Sequence, residues 1–331
     1  LNSTVALTPK PRTSRAPLYT AKLGLGCLLV LILLALSLLT GAFDIFSGEE
    51  GREMFAISRV PRTIALVLAG AAMSMSGLVM QLITQNRFVE PSTTGTTEWA
   101  GLGLLTVLFF YPSASILFKM SAAVAFSFIG AMIFFLFLRR ISLKSSLIVP
   151  IVGIMLGAVV SSVSTFFALQ TDMLQSLSVW FAGSFTSIYQ GQYEILWMVL
   201  GVVIAVFILA DRLTLAGLGE EFSTNVGVNY RRMVLIATAL IAIATGVVTV
   251  VVGSLPFLGL IVPNIVSMFR GDDLRSNLPW VCLGGIAVVT LCDILARIII
   301  APFEMPVSVI LGVLGATVFV GLVVKGGANA R

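Results

Sequence analysis

Histidine is absent from all 331 residues, and charge is scarce: Lys, Arg, Asp and Glu together make up 11% of the chain. The first absence removes His-based zinc sites, Ser–His hydrolases and HExxH metalloproteases. A GxxxxGK[ST] loop is also missing, so the chain does not bind ATP by that route. Cysteine is limited to Cys27, Cys282 and Cys292, all in apolar runs without metal-ligand spacing, and they read as small buried residues. Soluble domains carry about 25% charged residues. A chain with under half of that lacks the polar surface to cover itself in water.

What is present is hydrocarbon: 58% of residues are hydrophobic, and the mean hydropathy is +1.07. The apolar runs recur at about 20 residues, the length that crosses a ~30 Å hydrocarbon core at 1.5 Å per residue. Barrel strands would alternate in segments of about 10 residues instead. The expectation is an all-α integral membrane protein with about ten transmembrane helices. The boundaries are a tail over 1–20, a single transmembrane domain over 21–327 and a short C-terminal tail over 328–331. A basic tail before an apolar run also describes a secretory signal, but this run is too long and no small-x-small cleavage site follows.

The expected spans are 21–40, 58–82, 92–110, 113–138, 146–169, 192–210, 233–252, a segment ending at Arg270 after the break Gly253-Ser254-Leu255-Pro256, 278–300 and 307–324. Residues 172–190, moderately apolar with Trp180 and Tyr189, read as an outer interfacial helix. With the N-terminus inside, this threading puts 15 of the 20 Lys and Arg on the cytoplasmic side and 5 outside. The positive-inside rule supports that orientation and places both termini in the cytoplasm. The net charge of +5 is then explained by basic inner loops rather than nucleic-acid binding.

Four features stand out. Arg59, Arg62 and Arg297 lie outside, against the local bias. They either snorkel to headgroups or form an electropositive surface for an acidic partner. The polar run 218–229, with Gly219, Glu220, Glu221, Asn225 and Gly227, is either an ordinary loop or a short surface helix, since acids stand at its start. Glu98 falls inside a span, where a carboxylate is costly. It lies shallow, bonds nearby Thr hydroxyls, or serves transport. Asp293, four residues before Arg297, is expected to orient that arginine.

Taken in order, these segments resemble a family. Arg59-Val60-Pro61-Arg62, Gly77 to Gln81, Asn86-Arg87-Phe88-Val89-Glu90-Pro91 and Gly95 are similar to a signature of the FecCD-type permeases, the membrane subunits of bacterial ABC importers for ferric siderophores, haem and cobalamin. Leu218-Gly219-Glu220 with Gly227 resembles that family's coupling helix. Phe257 to Pro263, Asp273 with Arg275, Leu278-Pro279, Asp293 with Arg297, and Glu304 with Pro306-Val307 resemble its C-terminal half. The resemblance spans residues 20–327. The stretch from Arg87 to Glu98 is most similar to the catecholate-siderophore branch.

The resemblance implies a type II ABC importer permease that does no covalent chemistry and binds no cofactor itself, ATP and magnesium being used by two partner ATPases. It implies a second permease subunit, with a heterodimer favoured over a homodimer, an extracytoplasmic substrate-binding protein and a ferric siderophore as cargo. Arg59, Arg62 and Arg297 match arginines that dock the binding protein, and Gly219, Glu220, Glu221, Asn225 and Gly227 match the ATPase-coupling helix. Asn86, Phe88, Ser145 and Ser146 fall near the gate, with Glu98 beside the path, which the second, third, fifth and eighth spans line. The family's NPL is replaced by Asn86-Arg87-Phe88, and its PHI by Pro263-Asn264-Ile265. Haem or cobalamin import, and a secondary transporter using Glu98 as its ion site, are the alternatives. An intramembrane aspartyl protease would need two intramembrane aspartates, and only Asp293 is near a span.

Overall fold

The computed structural model describes residues 21–41, 48–138, 148–271 and 273–328. Among them no strand occurs, and thirteen α-helices follow one another. Helix α1 (Ala21–Leu39) comes first. The short α2 (Glu49–Met54) runs through a π turn, Phe55–Arg59, into α3 (Val60–Thr84). Next come α4 (Thr96–Phe110), α5 (Ile116–Leu138), α6 (Ile148–Gln170) and α7 (Leu174–Phe181). The remainder are α8 (Trp197–Gly217), α9 (Glu220–Asn225), α10 (Tyr230–Val251), α11 (Leu258–Arg270), α12 (Leu274–Ile298) and α13 (Val307–Ala328). Among the described residues seven helices are long and apolar enough to cross a membrane, and three shorter apolar ones, in α4, α11 and α13, stand where the remaining expected spans fall.

Helix α3 is the axle of the bundle. It is buried along most of its length and packs against α8, α10, α11 and α12. Small residues make this possible in a setting where van der Waals packing, not hydrophobic exclusion, holds helices together. A Cβ on Gly77 would lie 2.1 Å from the Gly259 carbonyl oxygen, so the α3–α11 crossing requires glycine. The Gly153-x-x-x-Gly157 face of α6 seats the backbone of Thr93 to Gly95 in the same way.

Two helices are too short to span alone. Helix α4 has 15 residues and α11 has 13, about 22 and 20 Å at 1.5 Å per residue. The missing depth is supplied by irregular chain at 85–95 and 252–257. Non-helical backbone at membrane depth is tolerated only inside protein. Accordingly Val89, Glu90, Thr94, Val252 and Leu255 are all buried.

Several expected boundaries move. The sixth span extends to Gly217, which puts Asp211 and Arg212 on a helix rather than in a loop. The ninth starts at Leu274, four residues before the expected Leu278, with Asp273 at its N-cap. Only Leu174–Phe181 of the expected interfacial helix is α-helical. Helix α13 continues to Ala328, one residue past the expected domain end. The tail over 1–20 lies outside the described residues, as do Ser145 and Ser146.

Candidate functional site

At one end of the bundle the start of α3 meets the ends of α1 and α12. Arg62, 9% exposed, donates to Asp293 Oδ1 from Nη2 at 2.7 Å and from Nε at 3.2 Å. Its Nη1 reaches both Glu304 oxygens, at 2.9 and 3.1 Å. Arg297 Nη2 forms an ion pair with Asp293 Oδ2 at 2.7 Å. Arg297 also donates to the Ser37 and Thr40 carbonyls at 2.9 and 2.7 Å and to the Ser37 hydroxyl at 2.6 Å. Glu304 accepts a further bond from the Thr186 hydroxyl at 2.7 Å. Burial by itself raises the Glu304 carboxyl; the Arg62 charge, the Thr186 hydroxyl and Arg297 outweigh it and hold the group below the usual glutamate range.

The expected pairing of Asp293 with Arg297 is therefore present. The three arginines are not displayed alike. Arg62 and Arg297 are buried in this network, while Arg59 is half-buried and donates to the Leu38 carbonyl at 2.8 Å. A buried arginine pays heavily for an unpaired charge, so each turns to acids and carbonyls of its own chain.

At the opposite end, α9 hangs between α8 and α10. Gly219 enters it at φ 102° and ψ 168°, a conformation open to glycine. The helical part is six residues, shorter than the expected 218–229, because Gly227 at φ 81° ends it. Ser223 is buried and its hydroxyl donates to the Leu215 carbonyl at 2.8 Å, pinning α9 to α8. Asn229 then starts α10, its Oδ1 accepting from the Arg232 N–H at 3.0 Å. Glu220 and Glu221 occupy the first turn and Asn225 the last, all exposed. Leu218, Phe222 and Val226 are exposed as well, at 55%, 47% and 48%.

Between these ends runs the 85–98 segment. Gln85, at φ 50°, closes α3. Asn86 Oδ1 accepts from the Phe88 N–H at 2.9 Å, and the Phe88 ring meets Phe319 of α13 edge-on at 5.8 Å. Asn264 of α11 donates to the Arg87 carbonyl at 2.8 Å. Glu90 is buried at the start of α11. Its Oε1 accepts from the Phe257 N–H at 2.7 Å and from the Ser92 hydroxyl, and the Gly259 and Leu260 N–H groups face it too. A carboxylate at a helix N-terminus satisfies orphan donors and complements the dipole.

Glu98 does not bond the neighbouring threonines. The Thr94 and Thr96 hydroxyls both turn to the Pro91 carbonyl. Glu98 Oε2 is buried without a partner among the described residues, beside Gly157.

Sequence reasoning passed over three groups. Glu90 had a signal only in its place before Pro91. Leu218, Phe222 and Val226 had one in their spacing of four, which puts them on one face. Gln85, whose Nε2 donates to the Gly217 carbonyl at 2.9 Å, had none, because its partner is 132 residues away. Among the described residues no cluster of His, Cys, Asp and Glu is arranged to hold a metal ion.

A profile of the FecCD transport family matches residues 25–325. The chain is 59% identical over 308 residues to the petrobactin import system permease protein FatD of Bacillus anthracis, covering 93% of this chain and 92% of that protein. It is 43% identical to the petrobactin import system permease protein YclN of Bacillus subtilis, covering 92% and 98%. A solved metal-chelate type ABC transporter in an inward-facing conformation superposes with a TM-score of 0.79 at 26% identity, covering 93% of this chain and all of that one.

Proposed function

The chain belongs to the FecCD transport family, and from that premise we propose that it carries a ferric siderophore across the bacterial cytoplasmic membrane as the permease subunit of an ABC importer. The observation that carries this is the 59% identity, over nearly the whole length, to a permease named for petrobactin import. Ferric petrobactin is accordingly the first substrate to test.

In this reading the permease does no covalent chemistry and binds no cofactor. Two partner ATPases use ATP and magnesium, and they push on α9, whose cytoplasmic placement is supported by the charge asymmetry of the loops. A second permease subunit, favoured to be a different chain, completes the path. An extracytoplasmic binding protein docks at the opposite end, where Arg59 is the half-exposed arginine and Arg62 and Arg297 shape the surface from beneath. Coupling is a difference in the affinity of the ATPases for the two states of the bundle. Asn86 and Phe88 stand at the inner end of the path, with Glu98 along it.

The test is uptake of radioiron-loaded petrobactin in a host stripped of its own siderophore permeases, supplied with this chain and its partners. ATP-dependent accumulation is expected. Uptake of cobalamin or haem in place of the siderophore, or uptake that persists with a hydrolysis-dead ATPase, would overturn the reading.

A further inference from the structure

One groove at the α9 end of the bundle is used by none of these steps. It holds about 520 Å³ between α1, α11 and α12. Its walls are hydrocarbon, from Leu29, Val30, Ile265 and Leu283. Two cations line it, Lys22 in the first turn of α1 and Arg270 in the last turn of α11, and none of its lining residues is acidic. The Arg270 guanidinium lies 5.1 Å from the centre of the Trp280 ring, a cation–π contact that holds it in place. Arg270 Nε is buried with no hydrogen-bond partner among the described residues. Gly26 of α1 faces Trp280, where a Cβ would make an ordinary van der Waals contact at 3.4 Å.

An apolar crevice lined by two cations and the Trp280 ring has the chemistry to hold a phospholipid whose headgroup is negative. We propose that this groove is a site for one anionic phospholipid, its phosphate between Lys22 and Arg270 and an acyl chain along Leu29 and Leu283. A free phosphate would leave the apolar walls empty. The N-terminal tail is a poor occupant, since residues 1–20 carry Lys10, Arg12 and Arg15 and no acid. The leaflet follows the orientation proposed above, whereas the site does not depend on it.

A cation near an anionic surface contributes about 1 kcal/mol, or roughly fivefold in occupancy. Two cations therefore give a preference on the order of thirtyfold over a neutral lipid. The purified importer is reconstituted in phosphatidylcholine nanodiscs containing a small, equal fraction of either brominated phosphatidylglycerol or brominated phosphatidylcholine. Trp280 emission is isolated by subtracting a Trp280→Phe variant. Brominated phosphatidylglycerol is expected to quench Trp280 far more strongly than the neutral lipid. Inorganic phosphate should not relieve it, and high salt should narrow the difference. Lys22→Gln with Arg270→Gln should bring the two lipids to parity, while Arg270→Lys keeps most of the preference. Equal quenching by both lipids in the wild-type protein, a preference that survives the double substitution, or a Trp280 that neither lipid reaches because another chain covers it would each overturn the proposal.

Discussion

Gln85 Nε2 donates to the Gly217 carbonyl oxygen at 2.9 Å, tying the last turn of α3 to the end of α8. A Cβ on Gly217 would sit 2.4 Å from Leu82, so the two helices also touch directly there. Gly217 stands three residues before α9, and Gln85 one residue before Asn86. The contact is thus the short route from the exposed helix to the inner end of the 85–98 segment. Gln85→Ala is expected to leave ATPase binding intact and lower uptake per ATP hydrolysed several-fold. Unchanged coupling in proteoliposomes would remove this contact from the route.

Asp293 is buried between two arginines, and its neighbours fix the sign of any substitution there. Asp293→Asn leaves Arg62 and Arg297 facing each other without the intervening charge. Removing one partner of a buried pair costs about 3–5 kcal/mol. A large fall in the thermal midpoint of the detergent-solubilised protein is therefore expected, and a midpoint within a degree or so of wild type would show that the network is solvated.

Glu304 gives the same network a pH dependence. Its carboxyl is held below the ordinary value, so the unfolded chain binds the proton more tightly. Stability from this group is fully present above the unfolded value of about 4.3 and is lost as pH falls through the lower folded value. The thermal midpoint of wild type should fall on acidification in that window, and Glu304→Gln should flatten this component. Equal acid sensitivity of the two proteins would place the titrating group elsewhere.

The helices were legible in the sequence because each apolar run reports its own length. The network was half legible: Asp293 and Arg297 are four apart on one helix, whereas Arg62 reaches Asp293 across 231 residues. Burial of Arg62 and Arg297 was not legible, since a run of letters states charge but not what lies above it. The depth of Glu90 was hidden for a related reason. Irregular chain at 85–95 reads as a surface loop until α11 is seen to begin on its carboxylate. The task of Ser223 was not legible either, since its hydroxyl bond to the Leu215 carbonyl appears only once α9 is folded back on α8.

Glu98 separates ATP-driven import from gradient-driven transport. Its Oε2 has no partner among the described residues, so Glu98→Gln removes the ionisable group without breaking a visible bond. An importer driven by ATP should keep most of its uptake. Abolished uptake in Glu98→Gln, together with wild-type uptake that follows an ion gradient and ignores ATP, would favour the secondary transporter.

Helix α9 presents acids and hydrocarbon together, and the two make different predictions. Glu220 and Glu221 are exposed, and Glu220 lies 3.7 Å from Arg231, which is exposed too, a pair of little worth in water. Charge reversal at both acids should act mainly on the rate of ATPase association and on its salt dependence. Phe222, with Leu218 and Val226 beside it, is the anchor that a partner's cleft would bury. Burial of such a side chain is worth about 2 kcal/mol, close to thirtyfold in affinity. Phe222→Ala should therefore weaken ATPase binding by about that factor through faster dissociation, and Asn225→Ala, on the same short helix, should change it little. Equal losses from both substitutions would mean that α9 is merely sensitive to unfolding. Loss from Phe222→Ala alone identifies the apolar face as the surface on which the ATPase pushes.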